Sequence, residues 1–162
     1  MKTLKIWPVL FVFAACTTTP PLISYFVDTG VMQYFLSPTK WTAEGSNASA
    51  QVDITYRSGT DAPATVNISF FGEKSMPRRI TSISFHGKGI DYPLDNITVL
   101  YPNPNKREIR VTAEGNRDTL TSLLESENII LRAEIDGIEY TYIPHKNFIK
   151  LKDDFLTMLS YQ

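Results

Sequence analysis

The stretch QVDITY, residues 51–56, decides the fold because polar and apolar residues alternate strictly along it. Alternation with a period of two is typical of a β-strand that has one buried face and one exposed face. The pattern recurs at 66–70, and further strands are predicted at 80–85, 97–101 and 109–113, with Gly, Pro and Asn clusters between them. Short strands separated by turns indicate an antiparallel sandwich or barrel. We expect the sandwich, immunoglobulin-like or similar.

Two hairpins are predicted outside this central region. Segments 22–28 and 31–36 are suited to an opening hairpin. Near the other end, Asp136-Gly137 separates the apolar segments 129–135 and 138–143. Asp-Gly favours a type I′ turn, which matches the twist of the strands it joins, and this is the strongest hairpin signal in the chain.

Two helices are predicted in the last third of the chain. Asp118 is suited to cap a short helix near 119–127, whose leucines recur at helical spacing. A second helix is predicted near 146–160, where one stripe is apolar: Phe148, Leu151, Phe155 and Leu159. We expect this stripe to cover the core, because the Lys and Asp residues opposite it are typical of an ordinary solvent-exposed face.

The charge of the chain argues against a nucleic-acid partner. The formal net charge of the 162 residues is -1. Binding to a phosphate backbone needs Lys and Arg clustered on one face. The adjacent basic pairs Arg78-Arg79 and Lys106-Arg107 lie among Pro, Asn and Ser residues, so they are interpreted as solvated turn charges. The length of 22–162 indicates a single domain.

The N-terminus predicts export and anchoring. Lys2 and Lys5 precede the apolar run 6–15, and Cys16 follows two alanines. The basic start, apolar run and small-residue exit resemble a secretory signal peptide, and Phe-Ala-Ala-Cys at 13–16 resembles the lipobox of bacterial lipoproteins. The alternative is an ordinary signal peptide cut after residue 14, which would leave the cysteine a lone thiol. A transmembrane anchor is disfavoured, since a span needs about 20 apolar residues.

The lipoprotein resemblance implies both a location and a membrane partner. Residues 1–15 would be the signal peptide, and residues 16–21 would be the lipidated cysteine and a Thr/Pro tether. Acylated Cys16 would hold the domain on a membrane in the cell envelope, because two or more acyl chains anchor stably. Thr17 in place of Asp points to the outer rather than the inner membrane, if the host sorts by that residue.

The candidate chemistry in the rest of the chain is sparse. His86 and His145 are far apart, and neither has a second His or a Cys at metal-ligand spacing. The Gly-x-Ser-x-Gly motif of a nucleophile elbow is absent from the sequence. The acidic pairs Asp91/Asp95 and Glu114/Asp118 are interpreted as turn and cap residues, not as a calcium loop. No enzyme, metal or cofactor is therefore predicted.

Tyr140 and Tyr142 are the predicted ligand contacts. They share one face of the last hairpin, opposite Thr141, and tyrosine is amphipathic enough to contact a sugar or a peptide. We therefore expect a non-enzymatic binding or structural module, with an envelope protein or a glycan as partner. The alternative is a ligand carrier or weakly hydrolytic accessory with a pocket between the sheets. A fully packed interior would favour the first and a concave pocket the second.

Overall fold

The computed structural model describes the backbone of residues 22–27 and the whole of residues 31–58 and 61–160. The predicted signal peptide, Cys16 and the Thr/Pro tether lie outside these ranges, so their interpretation stays a prediction.

The described residues form ten strands and two α-helices, with one turn of 3-10 helix at Pro104–Lys106. Their bounds are β1 (Leu22–Val27), β2 (Val31–Ala43), β3 (Ser49–Arg57), β4 (Ala64–Phe71), β5 (Ile80–Gly87), β6 (Ile90–Pro93), β7 (Asp95–Asn103), β8 (Glu108–Gly115), α1 (Arg117–Leu124), β9 (Ile130–Ile135), β10 (Ile138–Pro144) and α2 (Lys146–Leu159). The predicted mainly β fold with two helices is confirmed.

All ten strands belong to one antiparallel sheet, in the order β6-β5-β9-β10-β2-β3-β4-β8-β7, with β1 paired to β2. β6 and β7 stand at the two ends of this order, yet only Leu94 separates them along the chain. The Leu94 amide donates to the Ile83 carbonyl of β5 over 2.9 Å. Residues 90–103 therefore act as one bent strand that pairs first with β5 and then with β8.

This bent strand makes the sheet nearly closed, so the arrangement is barrel-like rather than the two-sheet sandwich that the alternation suggested. The physical reason is that every strand finds a hydrogen-bonded neighbour in the same sheet, and closure leaves few free edges. Strand alternation is the same in both architectures, because each has one buried face.

A bulge in β2 explains why this strand is longer than predicted. The register with β3 shifts between Leu36 and Thr39, where Ser37 and Pro38 intervene. Leu36 faces the core before the shift, and Thr39 and Trp41 face it afterwards, so the bulge changes which alternate residues point inward. β1 pairs with the first half of β2 and β10 with the second.

The barrel interior is filled by aromatic and branched side chains, two of them from α2. The largest fully buried side chains include Trp41, Tyr56, Tyr142, Phe70, Phe85, Phe148 and Phe155. The Phe148 ring centroid lies 4.8 Å from that of Trp41, and the Phe155 ring meets Tyr56 edge-on at 5.2 Å. The expectation that the apolar stripe of α2 covers the core is therefore confirmed for these two phenylalanines.

The helices depart from the sequence predictions in two details. Asn116, not Asp118, caps α1, because its Oδ1 accepts the Thr119 amide at 3.0 Å. Lys152 lies on the face of α2 that was expected to be solvent-exposed, yet it is buried. Its Nζ donates to the carbonyls of Leu124 and Ser126, each at 2.9 Å. A cation at the end of α1 satisfies carbonyls that the helix itself leaves unpaired.

Candidate binding cleft at the barrel mouth

One end of the barrel carries a cleft of about 320 Å3. The turns at 44–48, 72–79, 104–107 and 136–137 gather at this end, because strands β3, β4, β8, β9 and β10 each begin or finish there. We call this end the mouth and the depression the tyrosine cleft. Its lining residues are Ala48, Phe71, Gly72, Glu73, Lys74, Ser75, Pro77, Ile135, Asp136, Ile138, Tyr140 and Tyr142.

Tyr140 and Tyr142 form one side of the cleft, as alternate residues of β10 on its inner face. Their ring centroids are 6.1 Å apart, and Tyr142 also packs against Phe70 at 5.6 Å. Burial, and to a smaller extent neighbouring Tyr140, raises the pKa of Tyr142, so its phenol is neutral at physiological pH. Tyr142 is buried and Tyr140 is half-buried, which leaves Tyr140 as the tyrosine that a ligand would contact.

The turn that supports this side of the cleft has the predicted geometry. Asp136 has φ 54° and Gly137 has φ 79°, and the flanking Ile135 and Ile138 are paired. Positive φ at both central residues defines a type I′ turn. The Asp136 carboxylate accepts the backbone amides of Arg78 and Arg79, at 3.2 Å and 2.9 Å, so the turn also holds the opposite wall.

The opposite wall is the loop 72–79, which sequence reasoning did not assign to a site. A Cβ on Gly72 would lie 1.7 Å from the Ser75 carbonyl oxygen, so only glycine fits there. The Gly72 amide donates to the Arg107 carbonyl at 3.0 Å, and the Arg107 guanidinium donates to the Glu73 carbonyl. Gly72 and Pro77 indicate a loop in the sequence, but they do not indicate that this loop lies beside the tyrosines.

Comparison with protein-family models, curated proteins and solved structures finds no match to this chain. The interpretation of the tyrosine cleft therefore rests on its own geometry and chemistry.

The histidines do not form part of a reactive cluster. The His86 Nδ1 lies 4.0 Å from the Asp91 carboxylate, at the pairing of β5 with β6. His145 precedes α2 and makes no side-chain cap. Within residues 31–58 and 61–160, no group of three or more His, Cys, Asp or Glu side chains is arranged to hold a metal ion. None of the helices in the described part is long and apolar enough to span a bilayer.

Three of the four residues of the two acidic pairs lie at the end of the barrel opposite the mouth. Asp95, Glu114 and Asp118 line a second cleft, of about 540 Å3, together with Asp61 and Arg117. The Glu114 carboxylate accepts the Asn96 side-chain amide at 2.6 Å. The structure thus brings Asp95 together with Glu114 and Asp118, whereas Asp91 lies apart from them on β6.

Proposed function

We propose that this chain is a lipid-anchored bacterial envelope lipoprotein that acts as a non-enzymatic binding module, with the tyrosine cleft as its binding site. The observation that carries the binding site is the convergence of Tyr140, Tyr142 and the loop 72–79 on one concave surface. The anchor rests on the position of Cys16 after an apolar run. An outer-membrane location follows from Thr17, under the sorting rule stated above.

The packed interior supports a binding module over a carrier. A carrier would need space inside the barrel, where instead Trp41, Phe148 and Phe155 are at most 1% exposed. The cleft instead lies at the mouth, outside the packed interior, and its volume is near the lower end of the range for small-molecule sites, which is about 300–1,000 Å3. Such a site holds one group of a larger partner, such as a sugar unit of a glycan or a side chain of an envelope protein.

The binding site is tested with the Tyr140→Ala variant and a matched control. Tyr101 on β7 is 45% exposed and is not among the residues that line the cleft, so Tyr101→Ala removes an equal ring from another surface. Cosedimentation of the full chain with insoluble envelope material of the host should fall with Tyr140→Ala and persist with Tyr101→Ala. Equal binding by both variants would contradict the assignment of the cleft.

The anchor is tested separately by metabolic labelling with a radioactive fatty acid. The wild-type chain should incorporate the label, and Cys16→Ser should not, because the thiol is the acylated group. The labelled chain should then fractionate with the outer membrane. An unlabelled wild-type chain would remove the lipoprotein part of the proposal and leave the cleft untouched.

A further inference from the structure

Five exposed basic side chains lie on the turns 72–79 and 104–107 at the mouth: Lys74, which lines the tyrosine cleft itself, and Arg78, Arg79, Lys106 and Arg107. We call them the basic rim. They come from two turns that are distant in sequence and that meet through hydrogen bonds of Arg107. Its carbonyl accepts the Gly72 amide at 3.0 Å, and its guanidinium donates to the Glu73 carbonyl. The two basic pairs that the sequence shows as separate turn charges therefore face the same end of the barrel.

The carboxylates at the mouth leave this positive charge in excess. The four turns at the mouth contain three carboxylates, Glu44, Glu73 and Asp136, against these five cations, which leaves the turns with a net formal charge of about +2. Glu73 accepts the Asn47 side-chain amide at 3.2 Å, and Asp136 accepts backbone amides of the loop 72–79. Across the described residues, no side chain of the basic rim forms an ion pair. A concentrated, unpaired charge attracts ligands of the opposite sign.

The cleft at the other end of the barrel is acidic, which orients an anionic partner toward the mouth. The cleft at the other end is lined by Asp61, Asp95, Glu114 and Asp118, with Arg117 as its one cation among the described lining residues. An anionic partner is therefore attracted by the basic rim and repelled by the acidic lining of the opposite cleft.

The shape of the cleft distinguishes between classes of anion. A flat lipid surface would not reach into a concave site whose lining includes the buried Tyr142. An acidic peptide added to a sheet would need a strand edge. β10 instead lines the cleft with the side chains of its inner face, Ile138 and Tyr140. A sugar ring matches a half-buried tyrosine, because tyrosine offers an apolar ring and a hydroxyl.

We infer that the tyrosine cleft binds an anionic saccharide, with a sugar ring against Tyr140 and acidic substituents on the basic rim. This inference rests on the proposed function of the cleft and adds the class of ligand. The contacts to acidic groups are charge-assisted hydrogen bonds, which are stronger than neutral ones. Binding should therefore weaken as salt increases, because the rim is exposed and its charges are screened.

The test compares two anionic saccharide probes with matched controls, using the full chain in detergent and calorimetric titration. The probes are a short oligogalacturonate and a short heparin oligosaccharide. Methyl-esterified oligogalacturonate keeps the sugar and removes its charge. The rim variant combines Lys74→Gln, Arg78→Gln and Arg79→Gln, and the control variant combines Lys40→Gln, Lys146→Gln and Lys150→Gln, which removes the same charge from exposed positions elsewhere.

We expect at least one anionic saccharide to bind the wild-type chain. Its affinity should fall about tenfold or more in the rim variant and in Tyr140→Ala, and stay unchanged in the control variant, because loss of even one charge-assisted contact is worth about tenfold. The methyl ester should bind weakly. The rim variant changes only exposed side chains, so its melting temperature should equal that of the wild type.

Three results would overturn the inference. The first is that neither anionic saccharide binds. The second is that binding is insensitive to the rim variant or to Tyr140→Ala. The third is that polyglutamate or phosphatidylglycerol vesicles bind as tightly as the saccharides and do not need Tyr140. If envelope material still requires Tyr140 while the saccharides fail, the cleft remains a binding site and only its ligand class is wrong.

Discussion

Replacing Phe155 with alanine should destabilise the domain by about 3–5 kcal/mol, the usual cost of a fully buried Phe-to-Ala change. Phe155 is 0% exposed and packs edge-on against Tyr56, with 5.2 Å between ring centroids. The change removes apolar surface from the core and leaves a cavity that the closed sheet cannot easily collapse around. Because domains are stable by only about 5–15 kcal/mol, this loss is a large fraction of the total.

The matched control is Ile149→Ala, on the same helix. Ile149 is 47% exposed, so its truncation should change the free energy of unfolding by about 0.5 kcal/mol or less. Urea denaturation of both variants, followed by circular dichroism and by tryptophan fluorescence, gives the two free energies from the transition midpoints. A loss below about 1 kcal/mol for Phe155→Ala, or equal losses for both variants, would refute the conclusion that α2 is part of the core.

Three further predictions concern single contacts. Lys152→Met should lower the free energy of unfolding by about 1–3 kcal/mol, because two buried carbonyls at the end of α1 lose their hydrogen-bond donor. The control Lys150→Met, at an exposed position, should leave the free energy of unfolding nearly unchanged, as measured by urea denaturation. Gly72→Ala should displace the loop and weaken binding at the cleft, since the new Cβ would meet the Ser75 carbonyl at 1.7 Å; unchanged binding in calorimetry would argue against a fixed wall. Burial raises the pKa of Tyr142 above its ordinary value, so the contribution of Tyr142 to stability is constant below the unfolded-state pKa of about 10 and falls as pH rises beyond it. Tyr142→Phe should reduce that alkaline loss in denaturation curves recorded at about pH 8 and pH 11.

Local patterns in the sequence predicted much of the secondary structure. Alternation at 51–56 and 66–70 places strands β3 and β4 correctly, and Asp136-Gly137 forms the predicted turn. The bulge at Ser37 and Pro38 was not predictable in this way. It shifts the alternation of β2 by one residue, so the apolar positions before and after it do not follow one period.

The closed sheet and the two walls of the cleft depend on contacts between residues distant in sequence. Hydrophobic periodicity gives no information about such contacts. Closure of the sheet depends on the bend at Leu94, which lets β6 pair with β5 and β7 pair with β8, and no local pattern in the sequence specifies these partners. The tyrosine pair was found from its shared face on one hairpin. The position of the loop 72–79 opposite the tyrosines was not predicted, because it depends on hydrogen bonds from the backbone amides of Arg78 and Arg79 to the distant Asp136 carboxylate.

The pairing of β2 with β10 has a consequence for how the chain reaches this structure. Trp41 and Ala43 acquire their β10 neighbours, Pro144 and Tyr142, only when the C-terminal hairpin exists. During synthesis, β2, β3 and β4 can form a local meander. One edge of β2 stays unpaired, and the Trp41 ring stays uncovered, until the C-terminal residues have been synthesised. Such long-range pairings slow folding, and the unpaired edge of β2 is prone to aggregation in the meantime. Chains interrupted before β10 should therefore depend on chaperones more strongly than their missing length alone suggests.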